Sequence, residues 1–209
     1  EKNLGTRKMG TKITLYGSGT SRSSRCLWTL LELGVEFEYV DDSSLIGTEN
    51  LKKLQPQGKL PAIVVDGESL FESAAICTYL CDLYPEKKLI AEVGSRERAL
   101  HDQWCSFALT EIEGYLWSSY KHNSFYPPEK RVAGVLSTNT EEIVAGLSVL
   151  ESALDVTTYL TGSNFSVTDI IVGFTINWSK SAGHLEKFPV LSRYLERLHA
   201  RDLCAFNRN

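Results

Sequence analysis

Several common sequence features are missing from this chain of 209 residues, and each absence excludes a class of protein. No apolar run approaches the roughly 20 residues that a helix needs to span a bilayer. We expect no signal peptide, because the N-terminus, residues 1–5, is polar and has no hydrophobic segment. The net charge is -4, whereas nucleic-acid-binding proteins carry clustered positive charge. We therefore predict a cytoplasmic protein that binds neither a membrane nor nucleic acid.

Cysteine and histidine are scarce and scattered along the chain. The five cysteines are an odd number, which favours reduced thiols over a disulfide framework. Cys77 and Cys81 lie four residues apart on a predicted helix, but no second Cys or His pair accompanies them, so we interpret them as core residues. The four histidines show neither a metal-ligand spacing nor a Ser-His-Asp arrangement. We predict no metal site.

The first part of the chain has the pattern of an α/β domain. Alternating residues 12–16 and 35–40 predict strands, and the apolar-periodic residues 26–33 between them predict a helix that ends at Gly34. A strand, a helix and a strand in about thirty residues form a βαβ unit with a parallel strand pair.

The following residues complete this domain. A short helix is predicted to end near Leu54, and residues 62–65 and 69–71 predict two strands joined by an Asp66-Gly67 hairpin turn. A further helix begins after Ser73, which is a suitable N-cap, and stops before Pro85. The predicted order is βαβαββα.

Beyond residue 95 the pattern contains long helices and no strand. We predict helices over residues 97–120, 140–154 and 190–200, and a capping box at residues 166–169. The chain is therefore predicted to form an α/β domain (residues 11–86) followed by an all-α domain (residues 95–206), with a cleft between them.

Between the first strand and the first helix lies a loop rich in hydroxyl groups. The hydroxyl residues are Ser18, Thr20, Ser21, Ser23 and Ser24. A loop that leads into a helix directs backbone N–H groups and the positive end of the helix dipole at its contents. This arrangement indicates an anionic ligand.

Three motifs at these spacings resemble the cytosolic glutathione S-transferases, of the serine type found in bacterial, fungal and theta-like members. They are the hydroxyl loop with residues 21–25 (Ser-Arg-Ser-Ser-Arg), residues 56–62 (Pro-Gln-Gly-Lys-Leu-Pro-Ala), similar to the family's cis-proline loop, and residues 71–76 (Phe-Glu-Ser-Ala-Ala-Ile). The resemblance covers residues 12–206. It implies a thioredoxin-like N-terminal domain, a helical C-terminal domain and a homodimer.

The resemblance also implies a co-substrate, glutathione, and a residue that activates it. A thiol is mostly protonated at neutral pH, so a thiol-transfer enzyme must stabilise the thiolate. Counting from Tyr16 places Ser21 at the catalytic position, and Arg25 lies where serine-type members often carry an arginine. The alternatives are that Ser21 only caps the helix or that Ser18, Thr20 or Ser23 performs the role. A strand-end aromatic usually packs inward, which disfavours Tyr16.

Other residues resemble those that hold the tripeptide in this family. Glu72 and Ser73 resemble the pair that binds its γ-glutamyl end, although they also suit a helix cap beside an exposed acid. Leu60, before a cis Pro61, is expected to pair its main chain with the cysteinyl backbone, as in strand addition. Lys59 is a candidate for the glycyl carboxylate or a solvated surface residue.

The hydrophobic substrate is expected against the long helix of the second domain. Phe107, Glu111 and Tyr115 recur four residues apart and are the candidates, and the alternative is that this stripe belongs to the core. An aromatic cluster indicates a bulky apolar partner: Tyr115, Trp117, Tyr120, Phe125 and Tyr126.

Three functions compete for this sequence. The first is a transferase that adds glutathione to a hydrophobic electrophile, or reduces a peroxide, in detoxification. The second is a catalytically inactive binding or regulatory protein of the same fold, and fold alone does not separate the two. The third is a cysteine-type thiol oxidoreductase, which is disfavoured because the hydroxyl loop contains no cysteine. The three intact motifs favour the transferase.

Overall fold

The first domain is built on a four-stranded mixed sheet. The structure is a computed structural model that describes residues 10–19 and 21–206. The strand order is β2-β1-β3-β4; β1 pairs parallel with β2 and antiparallel with β3, and β3 pairs antiparallel with β4. The strands are β1 (Ile13–Gly17), β2 (Glu38–Asp41), β3 (Ala62–Val65) and β4 (Glu68–Phe71).

Three helices alternate with these strands, which confirms the predicted thioredoxin-like βαβαββα order. They are α1 (Ser23–Leu33), α2 (Glu49–Lys52) and α3 (Ser73–Leu83). Helix α1 begins three residues earlier than predicted, so the last serines of the hydroxyl loop form its first turn. It ends as predicted, because Gly34 adopts a φ of 61° and its N–H donates to the carbonyls of Leu30 and Leu31.

The second part of the described chain is helical, as predicted. Its helices are α4 (Arg96–Phe107), α5 (Gly114–Tyr120), α6 (Val135–Asp155), α7 (Val167–Ser181) and α8 (Pro189–His199). The single helix predicted over residues 97–120 is interrupted by a π-helical segment, Ala108–Glu113, and a second one, Lys121–Phe125, follows α5. The capping box that starts α7 is present between Ser166 and Asp169.

The two domains share one hydrophobic core. Helices α1 and α3 pack on each other and both contact α7. The buried Trp28 ring on α1 meets Phe206 edge-on, with 4.7 Å between ring centroids. His101 on α4 lies 3.0 Å from the Thr78 hydroxyl of α3 and 2.9 Å from the Thr168 hydroxyl of α7. The domain boundaries at residues 86 and 95 remain a prediction.

Cys77 and Cys81 are core residues, as interpreted from the sequence. Cys26, Cys77, Cys81 and Cys105 are buried, and burial raises the pKa of the Cys105 thiol to about 12. Among residues 10–19 and 21–206, no group of three or more His, Cys, Asp or Glu side chains is placed to hold a metal ion. No helix within these ranges has the length and apolar character to cross a membrane.

Candidate functional site

The hydroxyl loop is held tightly between β1, α1 and β2. A Cβ atom on Gly17 would lie 2.8 Å from Ser23 Cβ and 2.8 Å from the Tyr39 ring, so only glycine permits this close approach. The N–H of Gly19 donates to Asp41 Oδ1 at 3.0 Å, which anchors the loop to the end of β2. These contacts hold Gly17 and Gly19 in place beside the start of α1 and the end of β2.

The hydroxyls of this loop differ in their accessibility. Ser23 and Ser24 are buried, whereas Ser21 is exposed and Ser18 is half-buried. Ser21 Oγ donates to Ser23 Oγ at 2.9 Å and accepts from the Ser23 N–H at 3.3 Å. Ser21 thus lies at the N-terminus of α1, where it supports the first turn and still faces solvent. Thr20 lies outside the described residues.

The segment before β3 has an unpaired main chain. The Leu60–Pro61 peptide bond is cis, as predicted. Within the described residues, neither the N–H nor the C=O of Leu60 is bonded to the chain, so both groups are free for an extended ligand. The Lys59 side chain is exposed, and its N–H donates to Gln55 Oε1 at 3.0 Å.

The start of α3 differs from the predicted cap. Ser73 is the first helical residue, not the N-cap, and its hydroxyl accepts from Arg25 Nη1 at 3.1 Å instead of capping the helix. Glu72 occupies the cap position with a φ of 71°, which is strained for a residue with a side chain. Such strain is concentrated at functional sites, and here it accompanies an exposed carboxylate beside a buried serine.

A buried ion cluster joins α1 to the second domain. Arg25 is fully buried; its guanidinium contacts both carboxylate oxygens of Glu113, donates to Thr175 Oγ1 at 2.9 Å and donates to the Ile171 carbonyl at 2.9 Å. Arg22 Nε also donates to Glu113. Burial raises the pKa of Glu113, but the charges of Arg25 and Arg22 outweigh it and lower this pKa to about 2.

The ion cluster was not predicted from the sequence. Glu113 lies 88 residues from Arg25, and no local pattern marks it. The one signal in the sequence was Arg25 itself, which the resemblance to serine-type members led us to note. A buried arginine requires a carboxylate partner, but the sequence does not identify which one.

A cavity of about 710 Å³ opens between the hydroxyl loop and the second domain, in the cleft that the sequence predicted. On the loop side it is lined by Ser18, Gly19, Ser21 and Arg22. The opposite wall is mainly aromatic, with Trp117, Tyr120, Phe174, Trp178 and Phe206. Asn177 and Ser181 on α7 complete the lining. The volume lies in the range of small-molecule sites.

The predicted substrate residues lie elsewhere on the same run of helix. Phe107 and Tyr115 are half-buried against the core, and Glu111 is exposed with its Oε1 accepting from Thr110. None of the three lines the cavity, so their role in substrate binding stays a prediction. From the predicted aromatic cluster, Trp117 and Tyr120 do line it.

The structure brings several predicted residues to one region. Arg25 follows Ser21 by one helical turn and bonds to Ser73, which connects the starts of α1 and α3. Ser21 in turn faces the aromatic cavity. A polar, helix-terminal region thus adjoins an apolar space of ligand size, which suits a polar co-substrate and a hydrophobic second substrate.

Comparisons with known proteins agree with this arrangement. A family model for the glutathione S-transferase N-terminal domain matches residues 15–88, and one for the C-terminal domain matches residues 133–197. Glutathione S-transferase hmp2 of Hypomyces subiculosus is 29% identical, over 91% of this chain and 94% of that protein.

Solved structures give the same result. A glutathione transferase from Methylococcus capsulatus has a TM-score of 0.79 and 27% identity, covering 92% of this chain and 95% of that one. A sphingomonad glutathione S-transferase, solved in complex with glutathione, has a TM-score of 0.81 and 26% identity, covering 92% and 96%. With a family match in each domain and the same fold along nearly its whole length, the chain belongs to the glutathione S-transferase family.

Proposed function

We propose that the protein is a glutathione transferase in which Ser21 stabilises the thiolate of glutathione for attack on a hydrophobic electrophile. The observation that carries this proposal is the position of the Ser21 hydroxyl. It is exposed, lies at the N-terminus of α1 and faces the aromatic cavity. A hydroxyl donor at the positive end of a helix favours the thiolate over the thiol.

In this proposal glutathione binds to residues at the start of α3 and to the segment before β3. Ser73 offers its hydroxyl and a helix N-terminal N–H to the γ-glutamyl carboxylate, and Glu72 accepts from the ammonium group. The free N–H and C=O of Leu60, before cis Pro61, pair with the cysteinyl backbone, and Lys59 neutralises the glycyl carboxylate. The glutathione-bound sphingomonad relative supports this co-substrate.

The chemical step is a nucleophilic displacement or addition. The thiol proton leaves to solvent, and the sulfur lone pair forms a bond to the electrophilic carbon. With an aryl halide, the halide departs with its bonding electrons. The protein contributes by lowering the fraction of protonated thiol and by holding the electrophile next to the sulfur. The cavity beside Ser21 provides the space for the electrophile.

The test compares Ser21→Ala with wild type for turnover of 1-chloro-2,4-dinitrobenzene and for the pKa of bound glutathione, followed by thiolate absorbance. We expect kcat/KM to fall about 10- to 100-fold and the thiol pKa to rise, because a hydrogen bond to a charged group is lost. Glutathione binding, measured by calorimetry, should be retained. Ser44→Ala, at an exposed hydroxyl outside the loop, is the control.

Other results would revise the proposal. A large loss in Ser18→Ala with Ser21→Ala unaffected would transfer the role to Ser18. Glutathione binding without turnover in wild type, with peroxides also tested as substrates, would favour the inactive binding protein. No glutathione binding in wild type would overturn the co-substrate itself.

A further inference from the structure

The cavity beside Ser21 has one charged lining residue among the described residues, and it is a cation. Arg22 contributes the charge, while aromatic rings, hydroxyls and the Asn177 amide supply the other side chains. No Asp or Glu is part of the described lining. An aromatic cavity with one positive group is suited to a flat ligand that carries a negative group.

The position of Arg22 is fixed by its neighbours. Its guanidinium carbon lies 5.4 Å from the centroid of the Trp117 ring on α5 and 5.0 Å from that of the Trp178 ring on α7. Its Nε donates to Glu113. Within the described residues the two terminal nitrogens of Arg22 make no hydrogen bond, so both remain available to a ligand.

The charge balance leaves a positive charge at this position. Two guanidinium groups, from Arg22 and Arg25, share the single carboxylate of Glu113. Arg25 is sealed from solvent, and both of its terminal nitrogens are occupied. The Arg22 side chain retains 33% of its exposure. The uncompensated charge of the cluster is therefore presented to the cavity by Arg22.

We propose that the electrophilic substrates of this site are aromatic compounds bearing a carboxylate, and that Arg22 selects them. The ring stacks against the tryptophans, and the carboxylate accepts from the terminal nitrogens of Arg22 in a paired arrangement. The reacting carbon then lies on the side of Ser21, which lines the same cavity. This inference rests on the proposed transferase activity and specifies its substrate class.

A matched pair of electrophiles tests the selection. 4-Chloro-3,5-dinitrobenzoate and its carboxamide differ in charge and share the reacting ring. We expect wild type to show a higher kcat/KM for the carboxylate by at least about tenfold, as a charge-assisted bond pair provides. In Arg22→Gln the ratio of the two kcat/KM values should collapse. Arg193→Gln, an exposed arginine outside the cavity, should keep the wild-type ratio.

Calorimetric titration with unreactive 3,5-dinitrobenzoate and 3,5-dinitrobenzamide gives a readout that needs neither turnover nor a variant. Tighter binding of the benzoate than of the benzamide by wild type supports the inference. If in addition no electrophile reacts, the transferase proposal fails but the preference of the cavity for a carboxylate stands. Arg22→Lys, which keeps the charge and loses the paired donors, should show an intermediate preference.

Three results would overturn the inference. The first is equal binding and turnover of the charged and neutral compounds by wild type. The second is an unchanged ratio in Arg22→Gln. The third is a rise in the KM for glutathione in Arg22→Gln with the ratio intact, which would assign the charge of Arg22 to the co-substrate.

Discussion

The N-terminal end of α1 has a sealed side and an open side, and each contains an arginine. On the sealed side Arg25 is fully buried, and its bonded nitrogens reach Glu113, Ser73, Thr175 and the Ile171 carbonyl. On the open side Arg22 borders the cavity, and among the described residues its side chain hydrogen-bonds through Nε alone. Both residues contact the same carboxylate, so the difference between them lies in burial.

The difference in burial gives the two arginines different roles, one in stability and the other in ligand binding. A buried charge must have all its donors satisfied by the protein, because an unpaired one costs several kcal/mol. Arg25 therefore has nothing left for a ligand and holds two domains together. Arg22 is partly exposed, so water can hydrate its terminal N–H groups when no ligand is bound. Leaving these donors unpaired by the protein therefore costs little free energy, and they remain available to a ligand.

The largest expected effect is that of Arg25→Met on stability, and it tests the difference between the two arginines. Removing Arg25 leaves Glu113 buried, with the partly exposed Arg22 as its one charge partner in the described part of the chain. We therefore expect a loss of about 3–5 kcal/mol in the free energy of unfolding. Arg22→Met should cost about 1 kcal/mol or less, as expected for a partly exposed pair. Urea unfolding measures both. Equal losses in the two variants would contradict the division.

Acid titration examines the sealed side without mutation. The pKa of Glu113 is lowered from 4.5 to about 2 in the folded protein, so its ionised form contributes stability above pH 4.5. That contribution, about 3 kcal/mol, is lost as the pH falls from 4.5 toward 2. Glu113→Gln should flatten the unfolding free energy over this interval, whereas Glu111→Gln, on an exposed carboxylate, should keep the wild-type slope.

Ser73 lies where the two sides meet, since its hydroxyl bonds to Arg25 and its proposed ligand is glutathione. Ser73→Ala should raise the KM for glutathione about tenfold through loss of one bond to a carboxylate, and lower stability by about 1 kcal/mol. Ser73→Thr retains the hydroxyl and should recover most of the affinity. If stability falls and the KM is unchanged, Ser73 belongs to the sealed side only.

The smallest expected effect is the pH dependence of stability that comes from His101, which, like Arg25, is a buried polar residue between the domains. Burial lowers the pKa of His101, while the neighbouring Asp102 and Asp82 raise it and Arg98 lowers it. Because the folded state favours the neutral ring, stability is present above pH 6.5 and falls as the pH drops below it. We expect a slope smaller than that of Glu113, removed in His101→Gln, as followed by thermal unfolding from pH 5 to 8.

The sequence predicted the parts of the site that are local. The hydroxyl loop, the cis Pro61 segment and the Glu72-Ser73 pair each occupy a few consecutive residues, so turn and cap chemistry marks them. The contact between Arg22 and Glu113 was not predicted, because the two residues are 91 positions apart in the sequence. No periodicity within one helix reports such a pair.

The aromatic wall was only partly anticipated for a different reason. The stripe of Phe107, Glu111 and Tyr115 assumes one α-helix of constant phase, but the π-helical segment Ala108–Glu113 widens the turn. The faces of α4 and α5 are therefore out of register, and Trp117 and Tyr120 face the cavity. The sequence predicted the helical run, but not this interruption.

The contact between Trp28 and Phe206 bears on how the protein is made. Arg201 and Glu32, which lie beside it, form a paired salt bridge between residues 169 apart, at 2.9 and 3.0 Å. While the chain is still emerging from the ribosome, the Trp28 ring lacks both of its aromatic neighbours, because Phe165 and Phe206 lie far along the chain in the second domain. The first domain therefore completes its core only after the second domain has been synthesised, and until then the nascent chain exposes an aromatic surface that is prone to aggregation.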